Sequence, residues 1–288
     1  MVNIVLFEEG ELASPLPLCD HRVKHIQKIL KKGVGDSFDA GIVNGAAGTA
    51  EIRSVSPQGM EFCFEASGDG KPLHPVTMII GFPRPIQLKR LLRDIASLGV
   101  SQVHLCGTEM GEKSYLKATL SQPEELTAML KDGSIQAKST HVPQVFVHQD
   151  VASCLDFVAG NDSIRVAGNP RIHVAGIDSI RVAGNPRIYV AGNDSIRVAG
   201  NPRIYVALDN IEPTASLQGF LSSKFSADEV KRAGVVAAIG SERGWTDNER
   251  QLFRKKGFTL CSMGERVLRT ETAATTAVAI ILSNMEIL

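Results

Sequence analysis

The chain carries no excess of charge of either sign. Thirty-one Lys and Arg stand against 31 Asp and Glu over 288 residues, a formal net charge of +0. No global field draws such a chain onto a polyanion or an anionic membrane, so any nucleic-acid contact must come from a local patch. Paired cysteines are missing as well. Cys19, Cys63, Cys106, Cys154 and Cys261 are odd in number, and no two have CxxC spacing. That pattern argues against a disulfide framework and a structural zinc module, and it fits a reducing compartment. There is no run of about 18 apolar residues, the length that marks a membrane span. The opening stretch, MVNIVLFEEGEL, holds acids where a secretory leader requires a basic flank and a longer apolar run. The expectation is a cytoplasmic protein with no membrane partner. Neither GxGxxG nor GxxxxGK[ST] occurs, which removes the common nucleotide fingerprints.

What is present is enough apolar material, 43% of residues, to fill the core of one large domain or two modest ones. Residues 1–66 read as short strands, Asn3–Phe7, Ser37–Val43, Gly48–Val55 and Met60–Glu65, with turn signals at Asn44-Gly45 and Pro57-Gln58-Gly59. One amphipathic helix, about His21–Lys32, interrupts them. Val23, Ile26, Ile29 and Leu30 recur at helical spacing, Asp20 is placed to cap its start and Gly33 to end it. The pattern predicts a small β-barrel over residues 1–70, with a linker in 67–75. From residue 74 to 288 strands and helices alternate: strands at Val76–Gly81, Val100–Cys106, Ile204–Leu208, Val235–Ile239 and Phe258–Ser262, and helices at Ile86–Leu98, 214–232, about 246–256 and Thr270–Met285. Alternation predicts a parallel sheet with helices on both faces.

An internal repeat occupies about 158–207. Val158, Val174, Val190 and Val206 lie 16 residues apart, with a half-period of eight in which VAGNDSIR alternates with VAGNPRIY. Arg165, Arg171, Arg181, Arg187, Arg197 and Arg203 recur within it. A solenoid or ligand-binding array is one reading. The near-identity of the copies favours a tandem duplication in a tolerant loop, because an integrated solenoid needs differentiated end caps.

Two glycine-bearing segments each leave a strand and open a helix. The first is Ile239-Gly240-Ser241-Glu242-Arg243-Gly244-Trp245-Thr246, where Thr246 and Glu249 have capping-box spacing. The second, Ser262-Met263-Gly264-Glu265-Arg266-Val267-Leu268-Arg269-Thr270-Glu271-Thr272-Ala273, leads into a helix rich in Ala273, Ala274, Ala277 and Ala279. Small residues permit close backbone approach, and the apolar, alanine-rich face of this helix is suited to packing against a second copy of the chain. Arg269 stands near a helix start, where the macrodipole disfavours a cation, a departure that points to function.

GSERGW followed by SMGERVLRTETAA resembles the IGPEGG(F/W)…SLGxRILRxETA signature of the SPOUT methyltransferases of the RsmE type. His25-x-x-x-Ile29-Leu30-Lys31 is similar to a His-x-x-x-Val-Leu-Arg element of that family. Gly35-Asp36 and Leu98-Gly99-Val100 follow in the expected order, with Lys89 near an expected lysine. The chain departs from the pattern at Lys31, Ser97, Ser241 and Arg243, lacks an Arg-Trp element between 110 and 140, and adds the repeats. The resemblance implies an α/β fold in which a C-terminal trefoil-knotted parallel-sheet domain (74–288) follows a PUA-like RNA-binding β-barrel (1–70). It implies S-adenosylmethionine as cofactor, bound by Ile239, Gly240, Gly244, Met263, Gly264, Val267 and Leu268. It implies methylation of N3 of a uridine in small-subunit ribosomal RNA, with no metal, on the assembled particle, by a homodimer. N3 is a poor nucleophile until its proton is removed and the resulting charge on O2 and O4 is held. Arg269 is assigned to hold that charge and Glu271 to orient the arginine or relay the proton. Arg22, Lys24, Lys28, Lys31 and Lys32 crowd one helix and form the candidate RNA patch, which read alone is equally a solvated face. Ribose 2′-O methylation, a non-catalytic RNA-binding assembly factor, and repeats serving as a protein-interaction module remain open readings.

Overall fold

The computed structural model describes residues 3–117, 122–162 and 203–288. Two sheets organise them. The first has four strands in the order β1-β2-β3-β4: β1 (Val5–Phe7), β2 (Ser37–Ile42), β3 (Ala46–Ser56) and β4 (Gly59–Asp69). β1 pairs parallel with β2, and the rest of the sheet is antiparallel. The β2–β3 turn is where the Asn44-Gly45 signal places it, with Asn44 at φ 56°. Two register shifts in β3, at Ala47/Gly48 and Ile52/Ser54, bend the β3–β4 ribbon. β4 extends to Asp69 and the next strand opens at His74, so most of the expected 67–75 linker is strand.

The helix above this sheet differs from the expected His21–Lys32 in an instructive way. α1 (His21–Lys24) continues as a wide π-turn, His25–Ile29, in which Leu30 N–H bonds His25 O at 3.0 Å. Asp20 caps it as expected, accepting from Arg22 N–H. A π-turn delays the helical phase by one residue. Val23 and Ile26 stay buried, but Ile29 rotates out to 63% exposure and Leu30 packs in its place. The turn ends at Lys31, with φ 55°, rather than at Gly33.

The second sheet has seven parallel strands in the order β7-β6-β5-β10-β8-β11-β9. In chain order its elements are β5 (His74–Gly81), α2 (Pro85–Ser97), β6 (Val100–Cys106), α3 (Pro123–Gln136), β7 (Gln144–His148), α4 (Val151–Asp162), β8 (Ile204–Leu208), β9 (Ala215–Ser216), α5 (Leu217–Lys224), α6 (Ala227–Ala233), β10 (Val235–Ile239), α7 (Asp247–Lys255), β11 (Thr259–Ser262) and α8 (Thr270–Asn284). The expected 214–232 helix is two helices, because Phe225 is extended and Ser226 caps a new start with Glu229. β10, Val-Val-Ala-Ala-Ile, is buried along its whole length, as a central parallel strand covered on both faces must be. In α2, Leu88, Leu91, Leu92 and Ile95 are fully buried. Among the described residues no helix is long and apolar enough to cross a membrane.

Two sequence expectations are corrected here. The alanine-rich face of α8 lies inside the chain. Ala273, Ala274, Ala277, Val278, Ile281 and Leu282 join the main core beside α2 and α5, so this face is not open to a second copy. The repeat is also not wholly an insert. Its last unit supplies β8, inserted between β10 and β11, and its first residues, Val158–Asp162, end α4. Only one copy of the Ile-Tyr-Val-Ala unit can occupy that slot. Residues 163–202 lie outside the described residues.

The two sheets are joined through the segment after α3. Thr140, fully buried, donates its hydroxyl to Gly45 O at 2.7 Å and accepts from Asn44 N–H through its carbonyl at 2.8 Å. Asn44 Oδ1 in turn accepts from Val142 N–H at 2.9 Å. Lys138 pairs with Asp39 and Lys131 with Glu8 at the rim.

Arg22 has a structural role. Its guanidinium bonds Glu11 at 2.7 and 2.8 Å, Asp20 at 2.8 Å and Leu6 O at 3.1 Å, and it lies over the Phe7 ring at 5.2 Å. With 15% of its side chain exposed, it is withdrawn from the candidate RNA patch. Hydrogen bonds from Arg22 hold the Glu11 and Asp20 carboxyls below their ordinary values of 4.5 and 3.8. Both carboxylates therefore stabilise the fold fully above those values, and the contribution is lost as pH falls through the lowered, folded ones. Arg22→Met should cost roughly 1–3 kcal/mol at neutral pH, the range for charged hydrogen bonds. Denaturation should show the gap to wild type closing as the medium is acidified below the ordinary carboxylate range. A variant as stable as wild type at neutral pH would refute this role.

Candidate active site

Because every strand of the large sheet runs the same way, the loops after β5, β10, β8 and β11 emerge side by side at one edge. That edge, where connections depart in opposite directions, is where open α/β sheets bind ligands. The order of the sheet places the change of direction between β5 and β10.

Glycine lets the backbones meet there. A Cβ on Gly81 would lie 2.4 Å from Ser241 N and 2.9 Å from Gly240 C. A Cβ on Gly240 would lie 2.8 Å from Gly244 Cα. Gly244, at φ +72°, turns the chain back so that its N–H bonds Ser241 O at 2.9 Å. Ser241, a departure from the expected proline, is buried with its hydroxyl 3.0 Å from Thr108 Oγ1, which ties this loop to the segment after β6. Trp245 is 1% exposed, donates Nε1–H to Leu208 O at 3.0 Å and packs edge-on against Phe253. It is a core residue rather than a ligand-facing ring. Glu249 completes the capping box with Thr246 and accepts from Glu109 N–H at 2.9 Å. At the end of β8, Asp209 and Arg250 form a buried ion pair at 2.6 Å; Asp209 also accepts from Ile211 and Glu212 N–H. None of Gly81, Thr108, Asp209 or Arg250 was readable as part of this edge from the sequence. The one available signal was a glycine at the end of a strand.

The second loop lies against the first. Met263 and Leu268 are half-buried and pack on the main core, whereas Val267 is 82% exposed. Gly264, exposed at φ +109°, has no atom within 4 Å of a would-be Cβ. Its requirement for glycine is therefore conformational rather than steric. α8 begins where the two loops meet: Thr270, 4% exposed, donates its hydroxyl to Gly240 O at 3.5 Å. Arg269 is the residue before the first helical turn, exposed, with no cap bond and no carboxylate within ion-pair distance among the described residues. Glu271 is half-buried, and its Oε2 is a buried oxygen with no hydrogen-bond partner. Ile239, Gly240, Gly244, Met263, Gly264, Val267, Leu268, Arg269 and Glu271 thus all belong to the two loops and the helix start that adjoin at this edge.

Lys24, Lys28 and Lys31 are exposed and Lys32 half-exposed on the helix over the small sheet, without an acidic partner within 4 Å among the described residues. They form a cluster separate from the glycine loops.

The architecture is an open parallel α/β sheet with a glycine-shaped ligand edge. The family profile for the RNA methyltransferase domain matches residues 70–178 and 202–282. The ribosomal RNA small subunit methyltransferase E of Treponema pallidum is 36% identical over 287 residues, covering 98% of this chain and 91% of that protein. That of Borreliella burgdorferi, designated E 1, is 25% identical, covering 99% of each. The chain belongs to the ribosomal RNA small subunit methyltransferase E family, within the RNA methyltransferases. A Neisseria gonorrhoeae enzyme of that name, solved bound to S-adenosyl methionine, has the same fold at a TM-score of 0.67, with 17% identity and 98% of each chain covered. A probable rRNA-methyltransferase of Porphyromonas gingivalis reaches a TM-score of 0.69, with 16% identity and 99% of each chain covered.

The Gly81 contact is testable by stability. Gly81→Ala drives a carbon into backbone that cannot swing aside and should cost roughly 1–3 kcal/mol, the range for overpacking. Gly264→Ala adds no collision and should cost about 1 kcal/mol from its positive φ alone. Denaturant titration that ranks the two equally, or Gly264→Ala as the worse, would contradict the geometry.

Proposed function

We propose that this chain transfers a methyl group from S-adenosylmethionine to N3 of a uridine in small-subunit ribosomal RNA, acting in the cytoplasm as a homodimer on the assembled small-subunit particle. The observation that carries the reading is the junction at the start of α8. There an exposed Arg269 and a carboxylate with a buried oxygen, Glu271, neither partnered among the described residues, stand beside two loops shaped by Gly240, Gly244 and Gly264.

The residues present suit the cofactor. Backbone groups freed by the glycine turns can bind its polar ends, and the half-buried Met263 and Leu268 with the exposed Val267 offer apolar surface for its adenine. Bound there, the cofactor supplies an electrophilic methyl group. The chain's own residues do the rest. Arg269, through its forked guanidinium, holds the negative charge that spreads onto O2 or O4 as N3 loses its proton. Glu271 accepts or relays that proton, or orients the arginine. Within the same reading, β10 through α8 form the trefoil knot, which the close approach of Gly81 to Gly240 and Ser241 favours. Residues 1–70 form the PUA-like barrel. The exposed Val267 and Ile211, at 82% and 70%, beside the site are the surface favouring a second copy.

Mass spectrometry of ribosomal RNA treated with the protein and a labelled methyl donor tests the reaction. The expected product is one N3-methyluridine; a ribose 2′-O methyl would replace this reading with its nearest relative. In single-turnover methylation of the particle, Arg269→Ala should lose about 10²–10³ in rate, the usual effect of removing one charge-stabilising donor. Cofactor affinity should be preserved and Arg269→Lys should rescue poorly. Near-normal turnover by Arg269→Ala, or a loss explained by failed cofactor binding, would remove Arg269 from the chemistry.

The RNA patch, without Arg22, comprises Lys24, Lys28, Lys31 and Lys32. Neutralising all four as glutamine should weaken particle binding and flatten its salt dependence, since each phosphate contact contributes about 0.9 to the log–log slope on duplex and about 0.7 on single strands. An unchanged slope would show the lysines to be a solvated face.

A further inference from the structure

The face of the large sheet beneath α4 holds a group of side chains that methyl transfer leaves unused. His104 on β6 is 1% exposed, and its Nδ1 lies 2.9 Å from Nε2 of His148, at the end of β7. The two rings are 22° from coplanar with centroids 5.2 Å apart, so they meet edge to edge, nitrogen to nitrogen. Cys154, fully buried on α4, comes down onto the pair, and one ligand atom from each of the three residues lies within 4.8 Å of the others. Cys106, also fully buried, is on the strand beside β7 with its thiol against Cys154. Phe146 stacks on His104 at 4.8 Å, and Phe157 covers both rings at 5.8 and 5.3 Å. The other ring nitrogen of His104, Nε2, is buried and has no hydrogen-bond partner, so no protein acceptor fixes its tautomer.

We infer that His104, His148 and Cys154 form a binding site for one Zn²⁺ ion that fastens α4 to the edge of the large sheet, with Cys106 or a water in the fourth position. Two imidazoles and a thiolate are a donor set that a borderline-soft d¹⁰ ion takes readily and that hard, oxygen-seeking cations do not. The donors converge from two adjacent strands and the helix above, within a wall of aromatic rings. On binding, the Cys154 thiol proton leaves to solvent. The proton between the rings moves to an outer nitrogen, both imidazoles staying neutral. α4 is the element from which the chain departs toward the repeats, and a metal anchor would hold that root against the sheet.

The full-length protein, free of affinity tags, is dialysed against Zn²⁺ alone and its metal content measured. One ion per chain is expected, with a higher Tm in the presence of the ion. Cys154→Ser should lose binding about tenfold or more, and His148→Gln, at a half-exposed position, should do the same with unchanged far-UV circular dichroism. Co²⁺ loaded into the wild type should show thiolate-to-metal charge transfer and tetrahedral ligand-field bands, a readout that needs no variant to fold. Absence of stoichiometric Zn²⁺, cobalt spectra without a thiolate band, or binding retained by both variants would overturn the site.

Discussion

The contact on which the functional edge depends is the backbone approach between the end of β5 and the loop after β10. Gly81 sits where any side chain would collide with Ser241 N and Gly240 C. That approach brings Ser241 to Thr108 and lets Thr270 reach Gly240 O. The start of α8, which carries Arg269 and Glu271, is thereby set against the first glycine loop. Close-packed backbones have no room to adjust, so the placement of this helix start depends on two missing Cβ atoms.

Charge is used locally throughout, as a chain of zero net charge requires. Arg22 is spent on Glu11 and Asp20 to seal the small sheet, and Arg250 on Asp209 to brace the end of β8. Each is a buried or half-buried pair, and removing its arginine would leave uncompensated carboxylates in the fold. Arg269 is the contrast: an exposed cation at a helix start, with no ion pair among the described residues and opposed by the macrodipole. The lysines above the small sheet are exposed for the same reason that Arg22 is not, because no acid faces them.

The last unit of the repeat serves as structure. Ile204–Leu208 is a central strand paired on both sides, with Ile204, Val206, Ala207 and Leu208 buried and Tyr205 half-buried. A unit that reads as a β-prone piece between turns thus becomes part of the sheet that carries the candidate site.

Periodicity alone located most of the large sheet. Ile204–Leu208 and Val235–Ile239 were readable to the residue because buried parallel strands are near-continuous apolar runs bounded by turns, and Val100–Cys106 because it follows directly on the Gly99 that ends α2. α2 was readable because its leucines keep a 3.6-residue phase. The glycine loops and the Leu-Arg-Thr-Glu-Thr-Ala run were legible as motifs, since both the residue types and their spacing lie within single segments. Four things were not legible. The π-turn after Lys24 turned Ile29 outward, and phase slips leave no mark in composition. Arg22 found its acids eleven residues upstream and in its own cap, which only the folded path reveals. The alanine face of α8 was consumed by α2 and α5 rather than left for a partner. Gly81, Thr108 and the His104–His148–Cys154 cluster draw residues from separate strands and a helix. Local sequence thus determined most of the strands and helices and the two motif-bearing loops, because those depend on neighbours along the chain; β7, α3 and α4 carried no signal strong enough to read. Which side chains meet across the sheet was decided by tertiary structure alone, because strand order and register set distances that no sequence spacing encodes.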